Sequence, residues 1–351
     1  MFFLAGILGL MAGAAAFVAI DGSDDGEDAP SEEQETSVEI ATTTDILEPS
    51  EQPDTVDPAP AEVVEGDGGT SDDPDLRATH GGVGNDILSG TETSDFIFGG
   101  AGNDQINGYG GDDTLSGDDG QDDMHGAEGD DTLSGGQGDD VLHGEDGMDV
   151  LRGDDGNDSL FGHMQSDDLQ GGAGDDSLMG GSDDDTLSGG SGNDALHGGH
   201  DYDYLNGDAG QDTLFGGFGD DVVNGLTPAD AADDSDFLNG GDGEDTLIGG
   251  RGDILSGGED GDAFMLGEWD QAGDVLTVMD FNPTQDSLVL LYEDTGSDPN
   301  VTIEPDTDTD DAVRVFVNGT ELALVHGGSG LNPTDIALMP QTSPGAEVLH
   351  V

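Results

Sequence analysis

From Gly81 to Asn224 the chain is written in nine-residue blocks, sixteen of them in succession without a gap. The first is GGVGNDILS (81–89); GGAGNDQIN (99–107), GGQGDDVLH (135–143) and GGSGNDALH (189–197) repeat its form. Glycine opens every block, from Gly81 to Gly216. The sixth residue is always aspartate, and the eighth is always apolar, mostly leucine, with Ile97, Ile106, Met124 and Val223 as variants. The fourth is glycine in 12 of 16 blocks and is replaced by Thr93, Gln165, Asp183 and Asp201 in the others. One aspartate at fixed spacing could be chance in so acidic a chain. Sixteen in register with a glycine and an apolar residue could not. A short period sustained this long predicts a solenoid, in which each repeat packs only on its neighbours.

Each position in the block has a physical task. Glycine tolerates positive φ, so the first six residues can turn tightly and bring backbone carbonyls together. The last three, apolar in the middle, form a short strand with one side chain directed inward. Two blocks make one coil, with a turn on either side and two strands facing each other. Blocks n and n+2 then stack at the ordinary strand spacing of about 4.8 Å.

That stacking sorts the sixth-position aspartates into two parallel columns. One holds Asp86, Asp104, Asp122, Asp140, Asp158, Asp176, Asp194 and Asp212; the other holds Asp95, Asp113, Asp131, Asp149, Asp167, Asp185, Asp203 and Asp221. Carboxylates so close repel strongly unless a cation lies between them. A hard divalent ion with oxygen ligands suits such turns. Flexible loops supplying six or more oxygens at about 2.3–2.6 Å fit Ca²⁺, whereas Mg²⁺ demands a rigid octahedron. Two columns of regular turns offer at most about fourteen sites between coils at that spacing.

The pattern G-G-x-G-x-D-x-U-x resembles the calcium-binding nonapeptide repeat of the RTX (hemolysin-type) proteins, over about half of the chain. The resemblance implies a parallel β-roll and carboxylate ligands at Asp86, Asp104, Asp113, Asp131, Asp140, Asp158, Asp176, Asp194, Asp212 and Asp221, with turn carbonyls completing each site. The other sixth-position aspartates are candidate ligands by their place in the columns. The blocks without the fourth glycine depart from the family pattern, and weak or empty sites are expected there. After Val223 the register breaks. Residues 225–239 form a block with six extra residues, 240–248 is regular, 249–256 is one short and 257–265 returns to nine. Asp245 and Asp262 are expected to continue the columns, Asp253 with less support from the spacing.

The flanks read differently. Residues 1–20 carry no charge and, as a helix, would be about 30 Å long, enough for a transmembrane anchor or signal segment. Residues 21–79, rich in Asp, Glu and Pro, read as a disordered acidic linker. The β-roll is expected over 81–265. From 266 to 340 the segments DVLTVMDF, DSLVLLY and AVRVFV carry strand signals, and Asn318-Gly319 is a strong hairpin signal, so this stretch reads as a C-terminal β cap. Residues 341–351 read as a flexible tail.

The composition narrows the function. With 82 acidic and 4 basic residues the net charge is −78, which excludes nucleic-acid binding through phosphates and makes docking on anionic lipid unfavourable except through residues 1–20. The absence of cysteine removes disulfides and thiolate chemistry. No HExxH, GxSxG or P-loop motif is present, so an enzyme is not expected. Of the eight histidines, His125, His143 and His197 occupy the ninth repeat position and should face outward. The whole reading is an all-β, exported, extracellular calcium-binding protein that folds when it meets calcium. The alternatives are a calcium-cemented surface adhesin or matrix protein with a glycan or protein ligand, and an accessory module of a secreted enzyme.

Overall fold

The computed structural model describes residues 77–226, 235–267, 275–293 and 296–341. The anchor or signal segment and the linker expected before residue 77, and all but the first residue of the expected tail, lie outside the described residues. Among the described residues no helix is long and apolar enough to cross a membrane.

The blocks fold as a parallel β-solenoid. Successive strands alternate between a 13-stranded and a 14-stranded sheet, so neighbours within a sheet come from blocks n and n+2. Leu142 pairs with Leu160 and Leu160 with Leu178 in one sheet; Leu133 pairs with Leu151 and Leu151 with Leu169 in the other. Six added residues shift the pairing without breaking it, since Leu214 aligns with Leu238 and Val223 with Leu247. The core is the stack of eighth-position side chains, with Leu133, Leu142, Leu151 and Leu160 all 0% exposed.

The strands are longer than the spacing predicts. Val141–Asp146 is representative: the strand runs through positions seven to nine and on into the first three residues of the next block. Its burial alternates, with Leu142 and Gly144 inward and Val141, His143 and Glu145 outward. The opening glycine is thus an inward-facing strand residue, and the turn is confined to positions four to six. The reason for glycine is close approach. A methyl group on Gly117 would lie 2.2 Å from Asp122 Oδ2 and 2.7 Å from the Gly135 carbonyl oxygen. Positive φ is needed at the second and fourth positions instead, as at Gly136 with φ 109° and Gly129 with φ 129°.

Beyond the repeats the sheets continue. Ser287–Glu293 and Ile336–Gln341 extend the 13-stranded sheet in parallel. Leu276–Val278 and Thr320–His326 extend the other, followed by antiparallel Ala312–Val317 and Val301–Pro305. The hairpin at Asn318-Gly319 has φ 53° and 86°, as its sequence suggests. Val313, Val315, Leu322 and Val325 join the apolar core of the roll. Arg314 bonds Asp306 at 2.7 Å and Glu321 at 2.8 Å.

Candidate metal centre

The aspartate columns are present, and each is tied together by hydrogen bonds. The backbone N–H of each column aspartate donates to Oδ1 of the aspartate one coil further on: Asp86 to Asp104 and Asp122 to Asp140 at 2.8 Å, Asp95 to Asp113 and Asp113 to Asp131 at 2.7 Å. The ladder continues through Asp149, Asp158, Asp167, Asp176, Asp185, Asp194, Asp203, Asp212 and Asp221. Asp245 and Asp262 follow at its lower end. One oxygen of each carboxylate therefore has a fixed partner, which the spacing alone does not reveal.

The second oxygen is different. Oδ2 of every ninth residue from Asp104 to Asp203, and of Asp221 and Asp245, is buried without a hydrogen-bond partner. A buried, unpartnered carboxylate oxygen is costly, and it is held here by a rigid ladder. The surrounding atoms are backbone: the inward glycine and the carbonyl of the glycine one coil on, as the Gly117 contacts show. Among the described residues no three His, Asp or Glu side chains converge on one point. Any ion in a column would thus take one or two carboxylates and fill its shell with carbonyl oxygens. That donor set is hard and all oxygen. It fits calcium, the group to which such ligands belong.

At the column ends the second oxygen is already satisfied. Gly82 N–H donates to Asp86 Oδ2 at 2.8 Å, and Thr91 donates to Asp95 Oδ2 from its N–H at 2.6 Å and its hydroxyl at 2.8 Å. Asp253 Oδ2 accepts from Gly250 at 2.7 Å in the shortened block. In the turns lacking the fourth glycine, Gln165, Asp183 and Asp201 hold φ of 70°, 74° and 72°. The carboxylates of Asp167, Asp185 and Asp203 in those turns keep the same ladder and the same bare oxygen.

Electrostatics follow from this geometry. Burial first, and neighbouring acidic side chains after it, push the column carboxyls from Asp104 to Asp203, and those of Asp221, Asp245 and Asp262, upward against the opposing backbone hydrogen bond. Asp167 and Asp203 rise to about 8. Asp131, Asp140, Asp176, Asp185, Asp245 and Asp262 rise to about 7. Asp113, Asp149, Asp158, Asp194 and Asp221 rise to about 6.

Two column members escape the repeat count. Asp236 lies between Asp212 and Asp253 in one ladder, and Asp286 accepts from Asp262 at the end of the other. Asp253, expected with less support from the spacing, takes its place in the first of these ladders. The signal that marks all three is local: each stands two residues before a buried leucine, Leu238, Leu255 or Leu288.

Comparison with known proteins agrees with this geometry. The family description "RTX calcium-binding nonapeptide repeat (4 copies)" matches overlapping segments that together cover residues 80–226 and 230–263, slightly more than half of the chain. A search of curated proteins finds no match. With glycine, aspartate and leucine columns in the register of that repeat, the chain belongs to the RTX calcium-binding nonapeptide repeat family, whose repeats bind Ca²⁺.

Proposed function

We propose that this chain is an exported calcium-binding protein whose roll forms when calcium fills the aspartate columns. The observation that carries the reading is the run of buried carboxylate oxygens without partners, Asp104 to Asp203 in nine-residue steps. On this reading those carboxylates, with turn carbonyls, hold up to about fourteen ions at the strand spacing. The bare Oδ2 atoms favour ions between the central coils over the ends, where Gly82 and Thr91 occupy the same oxygens of Asp86 and Asp95.

Bound calcium would supply the positive charge that a column of buried carboxylates lacks. The residues contribute the rest: Oδ1 fixes each carboxylate to the backbone, the opening glycine leaves room beside Oδ2, and the leucine stack excludes water from one side. In low calcium, a chain of charge −78 repels itself and stays open. Outside the cell, ion binding becomes folding free energy. This is the basis for placing the protein in an extracellular setting.

Far-ultraviolet circular dichroism of the full chain tests the coupling at neutral pH. The β signal should appear on adding calcium and vanish with chelator. A full β signal in chelator, unchanged by calcium, would sink it.

A further inference from the structure

On the outward face of the 14-stranded sheet, three successive strands bring together the side chains most suited to a softer metal. Strands Asp123–Glu128, Val141–Asp146 and Ser159–Met164 pair so that His125 lies beside His143, and Glu145 beside His163. The groups already touch in two pairs. His143 Nδ1 is 3.0 Å from His163 Nε2, and His125 Nδ1 is 2.8 Å from Glu145 Oε1. The rings are close as well, with centroids 4.7 Å apart for His125 and His143 and 5.3 Å for His143 and His163. We propose that His143, His163 and Glu145, with His125 as a fourth donor, form a binding site for a borderline divalent cation such as Zn²⁺ or Cu²⁺, separate from the calcium columns.

Three observations support this. First, the bite is close to right. Two imidazole nitrogens bound to a tetrahedral ion at about 2.0–2.1 Å lie about 3.3–3.4 Å apart. The 3.0 Å between His143 and His163 needs an opening of only a few tenths of an ångström. The groups do not yet converge on one point: His143 and His163 bond each other, His125 bonds Glu145, and His143 is stacked between His125 and Phe161. The carboxylate is half exposed and His163 is exposed, so convergence requires rotation of these two groups and of His143 out of its stack on Phe161.

Second, the donor set differs in kind from the columns. Imidazole and carboxylate favour zinc and copper, whereas the all-oxygen columns favour calcium. One scaffold thus offers two classes of ion separate sites. Third, Glu145 and His163 stand at the second repeat position with φ of 80° and 86°, where Gly136, Gly172 and Gly190 stand in other blocks. Side chains in that region are strained relative to glycine. Tyr109 and Ala127 share the conformation, so the strain alone does not mark a site. At Glu145 and His163 it places two ligating groups on the face that carries His143.

His197 supplies the internal control. It occupies the same ninth position on the same sheet, but its cross-strand neighbours are Met179 and Phe215. The experiment is Cu²⁺ electron paramagnetic resonance and Zn²⁺ calorimetry on the full chain kept in saturating calcium. The expected results are nitrogen hyperfine structure from at least two imidazoles and one zinc site per chain. Zinc affinity should fall about tenfold or more in His143→Ala and in His163→Ala and stay unchanged in His197→Ala. An all-oxygen copper spectrum overturns the proposal. So does a zinc affinity that all three variants leave alone. The copper spectrum is read on the unaltered chain, so that test does not depend on any variant folding.

Discussion

Protons should substitute for calcium. Asp167 is 4% exposed, and its carboxyl rises from 3.8 to about 8 on folding without metal, burial being the main cause. The sign follows from linkage. A group whose folded pKa lies above its unfolded one takes up a proton on folding, so its contribution favours the roll at low pH and is lost as pH rises through the folded value. At 1.36 kcal/mol per unit, raising the pH from 5 to 8 removes about 4 kcal/mol at Asp167. Asp203, also at about 8, behaves alike, and the groups near 7 lose about two-thirds as much each. A handful of such carboxyls exceeds the roughly 5–15 kcal/mol of a whole domain. Metal-free chain in chelator should therefore lack β signal at pH 7 to 8 and gain it on acidification toward pH 5, where all of these carboxyls are protonated in the roll. The assay is circular dichroism across that range at constant chelator. If calcium folds the chain at pH 8 but acid never does, the cost of burying ionised columns is not what holds the metal-free chain open.

Asp167→Asn keeps Oδ1 for the ladder but removes the charge, so its effect should reverse with metal: more β signal than the parent in chelator at pH 7, and a higher calcium requirement on titration, both read by circular dichroism. Gly117→Ala places a methyl 2.2 Å from Asp122 Oδ2, and should raise the calcium concentration at the folding midpoint severalfold while Gly84→Ala, which meets nothing within 4 Å, does so less despite its φ of 129°. Leu151→Ala, at a fully buried position, should cost about 3–5 kcal/mol in urea unfolding of the calcium-saturated protein.

The parts legible in the sequence are those that depend on period. The pairing of blocks n and n+2, the leucine stack and the aspartate columns follow from counting nines, because a solenoid converts spacing directly into neighbourhood. What depends on the path within a block is less legible. Gly144 reads as a turn residue by its type, yet it continues the strand because the inward position beside Asp149 Oδ2 has no room for a side chain. Asp236 is hidden by the insertion before it, although Leu238 two residues later restores the register. His125 and His143 are recognisable as outward residues, but their partners Glu145 and His163 lie diagonally across the sheet at a position where glycine is the norm. A one-dimensional period does not display diagonal contacts.

The central claim is that the two carboxylate columns hold calcium, and counting the ions tests it most directly. Equilibrium dialysis of the full chain against calcium, followed by metal analysis, should find on the order of ten to fourteen ions per chain at saturation, all removable by chelator. One or two ions per chain, with the β signal already complete, would contradict the account.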